Sequence, residues 1–155
     1  MKITKVEAIP VRQKGEVKKI NDSAQDGIII KVYTDEGITG YGEVDSAPWV
    51  IKAIIESPVS HRICQGLGQA IIGENPFETE KIWEKMFLSS MFYGRRGAVI
   101  HAMSGIDIAL WDIKGKALNM PVCKLLGGLY REKVRAYGST LMPYTPAEAA
   151  EEALK

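Results

Sequence analysis

The sequence predicts an α+β protein in which strands come first, helices follow, and a further strand–helix unit begins near the end. Three observations carry this reading. Residues 27–44 alternate in polarity on either side of a short glycine-containing turn, the pattern of an antiparallel hairpin. Residues 98–117 carry apolar side chains at three- and four-residue steps, the period of a helix. Residues 133–155 then start again with a strand, a loop and a helix. The 155 residues are 46% hydrophobic and 25% charged, enough to build one core and unlike a disordered chain.

Ile3–Arg12 reads as the first strand, and Pro10 confines its end to a sheet edge or a bulge. Gln13–Asp26 is polar, carries Lys14, Lys18 and Lys19, and has no period; loops of that length in compact domains are functional or disordered. In the next strand, 27–34, Ile28, Ile30 and Val32 share one face. Asp35-Glu36-Gly37 turns the chain, with Gly37 suited to positive φ, and 38–44 returns. Ser46 is placed to cap a helix whose Trp49, Val50, Ala53 and Ile54 lie at helical spacing. Ser57-Pro58 restarts the chain, and Gly73 ends the following helix. Asn75-Pro76-Phe77-Glu78 reads as N-cap, first-turn proline and capping box, sending Phe77, Ile82, Trp83, Met86 and Phe87 toward a core. Tyr93-Gly94-Arg95-Arg96-Gly97 is a break.

The helix over 98–117 has the stripe Val99, Met103, Ile106, Leu110, Ile113 and Ala117. Its small residues Ala102, Gly105 and Ala109 let another element approach closely. Pro121 stops it, and Leu125-Leu126-Gly127-Gly128 closes a short successor. Lys133–Thr140 reads as a new strand. Thr145-Pro146-Ala147-Glu148 is a second capping box, opening a helix over Pro146–Lys155. A lone strand–loop–helix unit cannot bury its own apolar face, so this one reads as the first unit of something longer.

Charge and composition exclude several classes. A formal net charge of +1 argues against nucleic-acid and anionic-membrane binders, which need a concentrated basic face. No stretch approaches the ~20 apolar residues that span a bilayer, and the start lacks an apolar signal core. Cys64 and Cys123 have no metal-like spacing; they read as free thiols of a reducing cytoplasm, with a mutual disulfide the less favoured alternative.

Residues able to carry chemistry are few. His61 and His101 stand apart with no acid or cysteine at ligand spacing, and read as structural. Asp107 and Asp112 lie five apart, about 140° around a helix, and so cannot share one metal ion. Asp112 with Lys116 reads as an i,i+4 surface pair; Asp107 lies by Trp111, as a structural hydrogen-bond partner or a site acid. Gly94-Arg95-Arg96-Gly97 precedes a helix, where an anion binds well, but matches no phosphate-loop spacing; a solvated turn or subunit contact is the simpler reading. Gly40-Tyr41-Gly42-Glu43 falls inside a strand, so it is no dinucleotide fingerprint. Glu43 is a site acid or a wet-face residue, and Trp49 lines a pocket or joins the core. No Ser-His-Asp or Cys-His set assembles.

Three stretches nonetheless occur together in a known order. Residues 34–43 (Thr-Asp-Glu-Gly-Ile-Thr-Gly-Tyr-Gly-Glu), then 73–77 with Ile82-Trp83-Glu84-Lys85-Met86, then 104–117 with Pro121-Val122 and 125–128, resemble the N-terminal domain of the mandelate racemase/muconate lactonizing enzyme family of the enolase superfamily. The resemblance implies a three-stranded antiparallel meander plus helical bundle over 1–128, capping a modified TIM barrel of which 129–155 is the start. It implies abstraction of a proton α to a carboxylate by a Lys or His base with Mg2+. Base and metal ligands belong to later barrel strands, so neither catalytic nor metal residues have positions in this segment, and the segment alone is expected to be inactive and to associate. The family's cap selects substrate with two loops, here Gln13–Asp26 and Asp45–Lys52. Lys18, Lys19 and Asn21 then meet hydroxyls or a carboxylate, unless they are merely solvated, and Trp49 walls the pocket. Ser139 and Thr140 sit where barrels place active-site groups. The implied substrate is a small, hydroxylated carboxylate, the implied partners the barrel of the same chain and further copies, in a cytoplasmic homo-oligomer. An acid-sugar dehydratase leads because the first loop is polar. A racemase, epimerase or cycloisomerase of the same family is the alternative, and a stand-alone, non-catalytic α+β binding module is the rival from another class.

Overall fold

The structure is a computed structural model that describes residues 1–12, 14, 26–137 and 145–154. Three strands, β1 (Ile3–Arg12), β2 (Asp26–Thr34) and β3 (Thr39–Val44), form one antiparallel sheet in the order β1-β2-β3. The register runs Ala8↔Ile30↔Gly42 and Glu7↔Lys31↔Tyr41, with one irregularity between Ile3 and Lys5. Alternation decides the faces: Ile28, Ile30, Val32 and Thr34 are buried, while Ile29, Lys31 and Tyr33 lie partly in water. Gly37 takes φ +81°, and Thr34 and Ile38 close the turn through their backbones. The hairpin follows the alternation, and the three-stranded meander is the one the family resemblance implies.

The helices are α1 (Pro48–Glu56), α2 (Leu67–Ile71), α3 (Thr79–Ser89), α4 (Ala98–Ala117), α5 (Val122–Leu125) and α6 (Pro146–Ala153). Helix α4 lies against β3 and β2, α1 against β1 and α4, and α2 and α3 pack beside them. Ala102, Met103, Ile106, Ala109, Leu110 and Ile113 of α4 join Ile28, Ile30 and Val32 of the sheet in one core. The small residues act as their spacing suggests. A Cβ on Gly42 would overlap the carbonyl oxygen of Gly105, and one on Gly40 that of Ala109.

Several expectations are corrected. Helix α1 is capped at Ala47 without a side-chain hydrogen bond, not by Ser46, and it buries Pro48, Ile51 and Ile55. Trp49, Val50 and Ala53 face outward, because two apolar sets share this helix and β1 covers the other one. Asn75 does not cap α3. Its Oδ1 accepts from the Phe77 N–H at 3.1 Å, making a separate turn, and the helix starts only at Thr79. Phe77 is left exposed, as is Ala117, while Ile82 and Met86 are core and Trp83 and Phe87 pack against it. Residues 133–137 form no strand, for among the described residues no strand pairs with them; 138–140 lie outside the described residues. The second capping box does form: Thr145 N–H donates to Glu148 Oε2 at 3.1 Å and Glu148 N–H to Thr145 Oγ1 at 3.2 Å. No helix among the described residues is long and apolar enough to cross a membrane.

Candidate functional site

The strand register brings the two predicted recognition segments to one end of the sheet. Arg12, last in β1, pairs with Asp26, first in β2, and Ile28 pairs with Val44, last in β3. The connection after Arg12 and the one that leads from Val44 into α1 therefore leave the sheet at the same end, with β2 between them. Arg12 and Asp26 are exposed there, as are Asp45, Val11 and Val50. Trp49, one residue into α1 beyond the buried Pro48, is 71% exposed. It is thus not a core residue; an indole left in water forgoes on the order of 2 kcal/mol of burial. Of the other predicted site residues, Lys18, Lys19, Asn21, Ser139 and Thr140 lie outside the described residues.

Helix α1 is held to β1 by polar side chains that sequence reasoning missed. Glu56 Oε1 accepts the Ala8 N–H at 2.8 Å, Lys52 Nζ donates to the Ala8 carbonyl at 2.7 Å, and Lys52 and Glu56 pair at 2.6 Å. The available signal was an i,i+4 charged pair in an otherwise apolar helix, together with a proline marking β1 as an edge.

The remaining candidates have structural partners. Asp112 accepts the Tyr41 N–H at 2.8 Å and pairs with Lys116 at 2.6 Å, the i,i+4 contact expected. Lys116 also donates to Thr39 O at 2.8 Å and stands 4.5 Å from the Tyr41 ring. Asp107 is raised above the usual carboxylate range, first by burial and then by the charge of Glu80; the charge of Lys114 and then Trp111 oppose both. Lys114 is lowered, chiefly by burial, and its Nζ lies 3.1 Å from Thr79 Oγ1 and 4.2 Å from the Trp111 ring. Asp107, Trp111, Asp112 and Lys116 border an open groove of about 760 Å³ whose apolar wall is Ile108, Val122 and Leu126.

A second groove, about 370 Å³, runs past Ile54, Pro58, Cys64 and Tyr93. Burial pushes Tyr93 up to about 12, and its hydroxyl donates to Gln65 O at 2.7 Å. His61 meets the edge of Phe92 at 4.8 Å, and Arg95 lies 5.0 Å from the Phe87 ring. Glu43 is exposed on the outer sheet face, and Cys64 and Cys123 are free thiols. Among the described residues no three His, Cys, Asp or Glu side chains gather as a metal site. One end of the sheet thus carries the exposed Arg12, Asp26, Asp45 and Trp49, and among the described residues no nucleophile–base pair assembles.

Residues 8–127 match the model of the mandelate racemase/muconate lactonizing enzyme N-terminal domain. D-galactonate dehydratase of Klebsiella pneumoniae (strain 342) is 41% identical over 112 residues, 71% of this chain and 27% of that protein. The chain thus spans about a quarter of the length of the curated relatives it matches. A member of the enolase superfamily from Polaromonas sp. JS666 superposes with TM-score 0.78 at 37% identity, over 99% of this chain and 41% of that one. The 3,6-anhydro-D-galactonate cycloisomerase of Zobellia galactanivorans gives 0.69 at 35%, over 84% and 33%. With a three-stranded antiparallel sheet and helices arranged as in the enolase N-terminal capping domain, the chain belongs to the mandelate racemase/muconate lactonizing enzyme family.

Proposed function

We propose that this chain is the cap of an acid-sugar dehydratase, with residues 1–128 selecting the substrate and 129–155 beginning the barrel that transforms it. The reaction is removal of the proton α to a carboxylate with loss of the neighbouring hydroxyl. Mg2+ is the cofactor the family resemblance implies. Among the described residues no ligand set for it is present. Lys18, Lys19 and Asn21 meet the substrate's carboxylate or hydroxyls from the first connection, Trp49 forms an apolar wall, and Ser139 and Thr140 meet the substrate from the barrel side. Closing these segments over the ligand excludes water and strengthens each polar contact. The free thiols agree with a cytoplasmic enzyme. The exposed Leu126, Leu129, Tyr130, Val134 and Tyr137 agree with burial against further barrel units and other copies.

The observation that carries this reading is that β1 and β3 end at the same end of the sheet, with Trp49 exposed at the start of the helix that follows β3. Dehydration is favoured over racemisation by the polar first connection and by relatives named for D-galactonate dehydration. The test is an assay of the intact protein, expressed from its gene, on D-galactonate and its epimers, with Mg2+ and with EDTA. Formation of the 2-keto-3-deoxy acid, lost with EDTA and absent from the 155-residue segment alone, is the expected result. Exchange of the α-proton without dehydration would move the assignment to a racemase or epimerase, and ring formation or opening to a cycloisomerase. Neither turnover nor acid-sugar binding would leave the stand-alone module. Turnover by the segment alone would overturn the placement of the chemistry in the barrel.

A further inference from the structure

Strand β1 is an edge strand, and its free side is closed at Ala8 in an unusual way. Both edge-facing backbone groups of this buried residue are taken by the two ends of one ion pair on α1. Its N–H goes to Glu56 at 2.8 Å, its carbonyl receives Lys52 at 2.7 Å, and the pair closes at 2.6 Å. The next edge-facing position is Pro10, which has no N–H to offer an anchor. Four residues beyond Ala8 the strand ends at Arg12; three residues before Lys52, on the same helix, stands Trp49.

The order of the charges is informative. In an isolated helix Glu before Lys at i,i+4 is the better arrangement, because it suits the helix dipole. Here Lys52 comes first, the poorer order for the helix. It is nonetheless the order that presents an ammonium to the Ala8 carbonyl and a carboxylate to the Ala8 N–H.

We propose that Lys52 and Glu56 are positioning residues: by clamping Ala8 they fix the separation between the end of β1 at Arg12 and Trp49 of α1, and so the width of the recognition end. The inference rests on the reading that this end receives the substrate, and the experiment separates the two. In the intact protein, KM and kcat for D-galactonate are measured for Trp49→Ala, Lys52→Arg, Glu56→Gln and the exchanged pair Lys52→Glu/Glu56→Lys. Amide exchange at Ala8 is followed in each. The exchanged pair keeps an ion pair in the better helical order but sets a carboxylate against a carbonyl. It is expected to speed Ala8 exchange and to raise KM, each on the order of tenfold, with kcat within about twofold. Glu56→Gln should do the same more weakly, and Lys52→Arg, which keeps the donor, should stay near wild type. Trp49→Ala should also raise KM by on the order of tenfold. An exchanged pair that behaves like wild type would show a pair serving only its helix, and would overturn the proposal. So would faster Ala8 exchange with unchanged KM where Trp49→Ala still raises KM, and the recognition reading would then survive alone. A Trp49→Ala protein with unchanged KM would remove that reading, and the positioning role with it.

Discussion

Helices α4 and α1 both hold the sheet, one at β3 and the other at β1, and they do so by opposite means. Helix α4 comes close by lacking atoms: Gly40 and Gly42 of β3 lie directly beneath the carbonyls of Ala109 and Gly105. Helix α1 pairs its apolar face of Pro48, Ile51 and Ile55 with two long polar side chains that reach the backbone of Ala8. A contact made by missing atoms leaves nothing to rotate away when an atom is added. A contact made by flexible side chains, each about a third exposed, can relax or be replaced by water when one is shortened. The rigid half of the cap is thus the α4–β3 side, and the adjustable half is the side that carries Trp49.

The sharpest way to break this contrast is one methyl group on the rigid side. In Gly42→Ala the new Cβ falls on the Gly105 carbonyl oxygen and its carbon, backbone atoms in mid-helix. The helix must lift from the strand, at a cost of about 3 kcal/mol, the upper end of ordinary overpacking. Denaturant midpoints of wild type and variant measure it. A loss below about 1 kcal/mol would mean that α4 slides freely on β3 and that the two sides are alike. On the adjustable side, Glu56→Ala leaves the buried Ala8 N–H without its carboxylate, and the same measurement should give about 1–2 kcal/mol.

These two sides also differ in how well the sequence foretells them. The alternation of Ile28, Ile30 and Val32 and the small residues at 102, 105 and 109 are local patterns, and the sheet and α4 follow them residue for residue. The Lys52–Glu56 clamp leaves only an i,i+4 charged pair as its trace, and its partner is not legible because Ala8 lies 44 and 48 residues away in the chain. The apolar run in α1 offers two faces at helical spacing, and only the position of β1 decides that Ile51 and Ile55 go in while Trp49 stays out. At Asn75 a local signal misleads: the side chain takes the Phe77 N–H in a turn of its own, and α3 begins later. Lys133–Tyr137 shows the converse, a run with strand composition that forms none without a neighbour. The proposed recognition end is therefore legible as a place, two strands ending at one sheet end, but its supporting contacts are not.

Two carboxylates sharpen the comparison through pH. Glu74, beside the start of β1, accepts Lys85 at 2.6 Å and Lys81 at 3.0 Å, and these bonds hold it below its ordinary 4.5. A lowered native value means that the unfolded chain binds the proton first as pH falls. Stability from Glu74 is present above pH 4.5 and drains away as pH drops through the lower native value. Glu74→Gln should therefore lower Tm at pH 7 by about 2 °C, and the gap should close on acidification toward pH 3. A gap that stays constant from pH 7 to pH 3 would show that charge is not what the pair supplies.

Asp107 on α4 has the reverse sign, and its effect should be the smallest. Burial, then Glu80, raises it above its ordinary 3.8, against the charge of Lys114 and then Trp111. Between 3.8 and that raised value the folded chain holds the proton that the unfolded chain has lost, so stability falls as pH rises and the penalty is complete at neutrality. Asp107→Asn removes the charge while keeping an oxygen for Trp111, so it should raise Tm slightly at pH 7 and leave it unchanged below pH 3.8. Thermal melts of both proteins from pH 7 to pH 3 decide the matter. A lower Tm for Asp107→Asn at neutral pH would mean that the ionised carboxylate stabilises this groove through Trp111 and Lys114. The polar cluster on α4 would then be as supportive as the Lys52–Glu56 clamp, and the rigid side of the cap would owe its stability to charge as well as to shape.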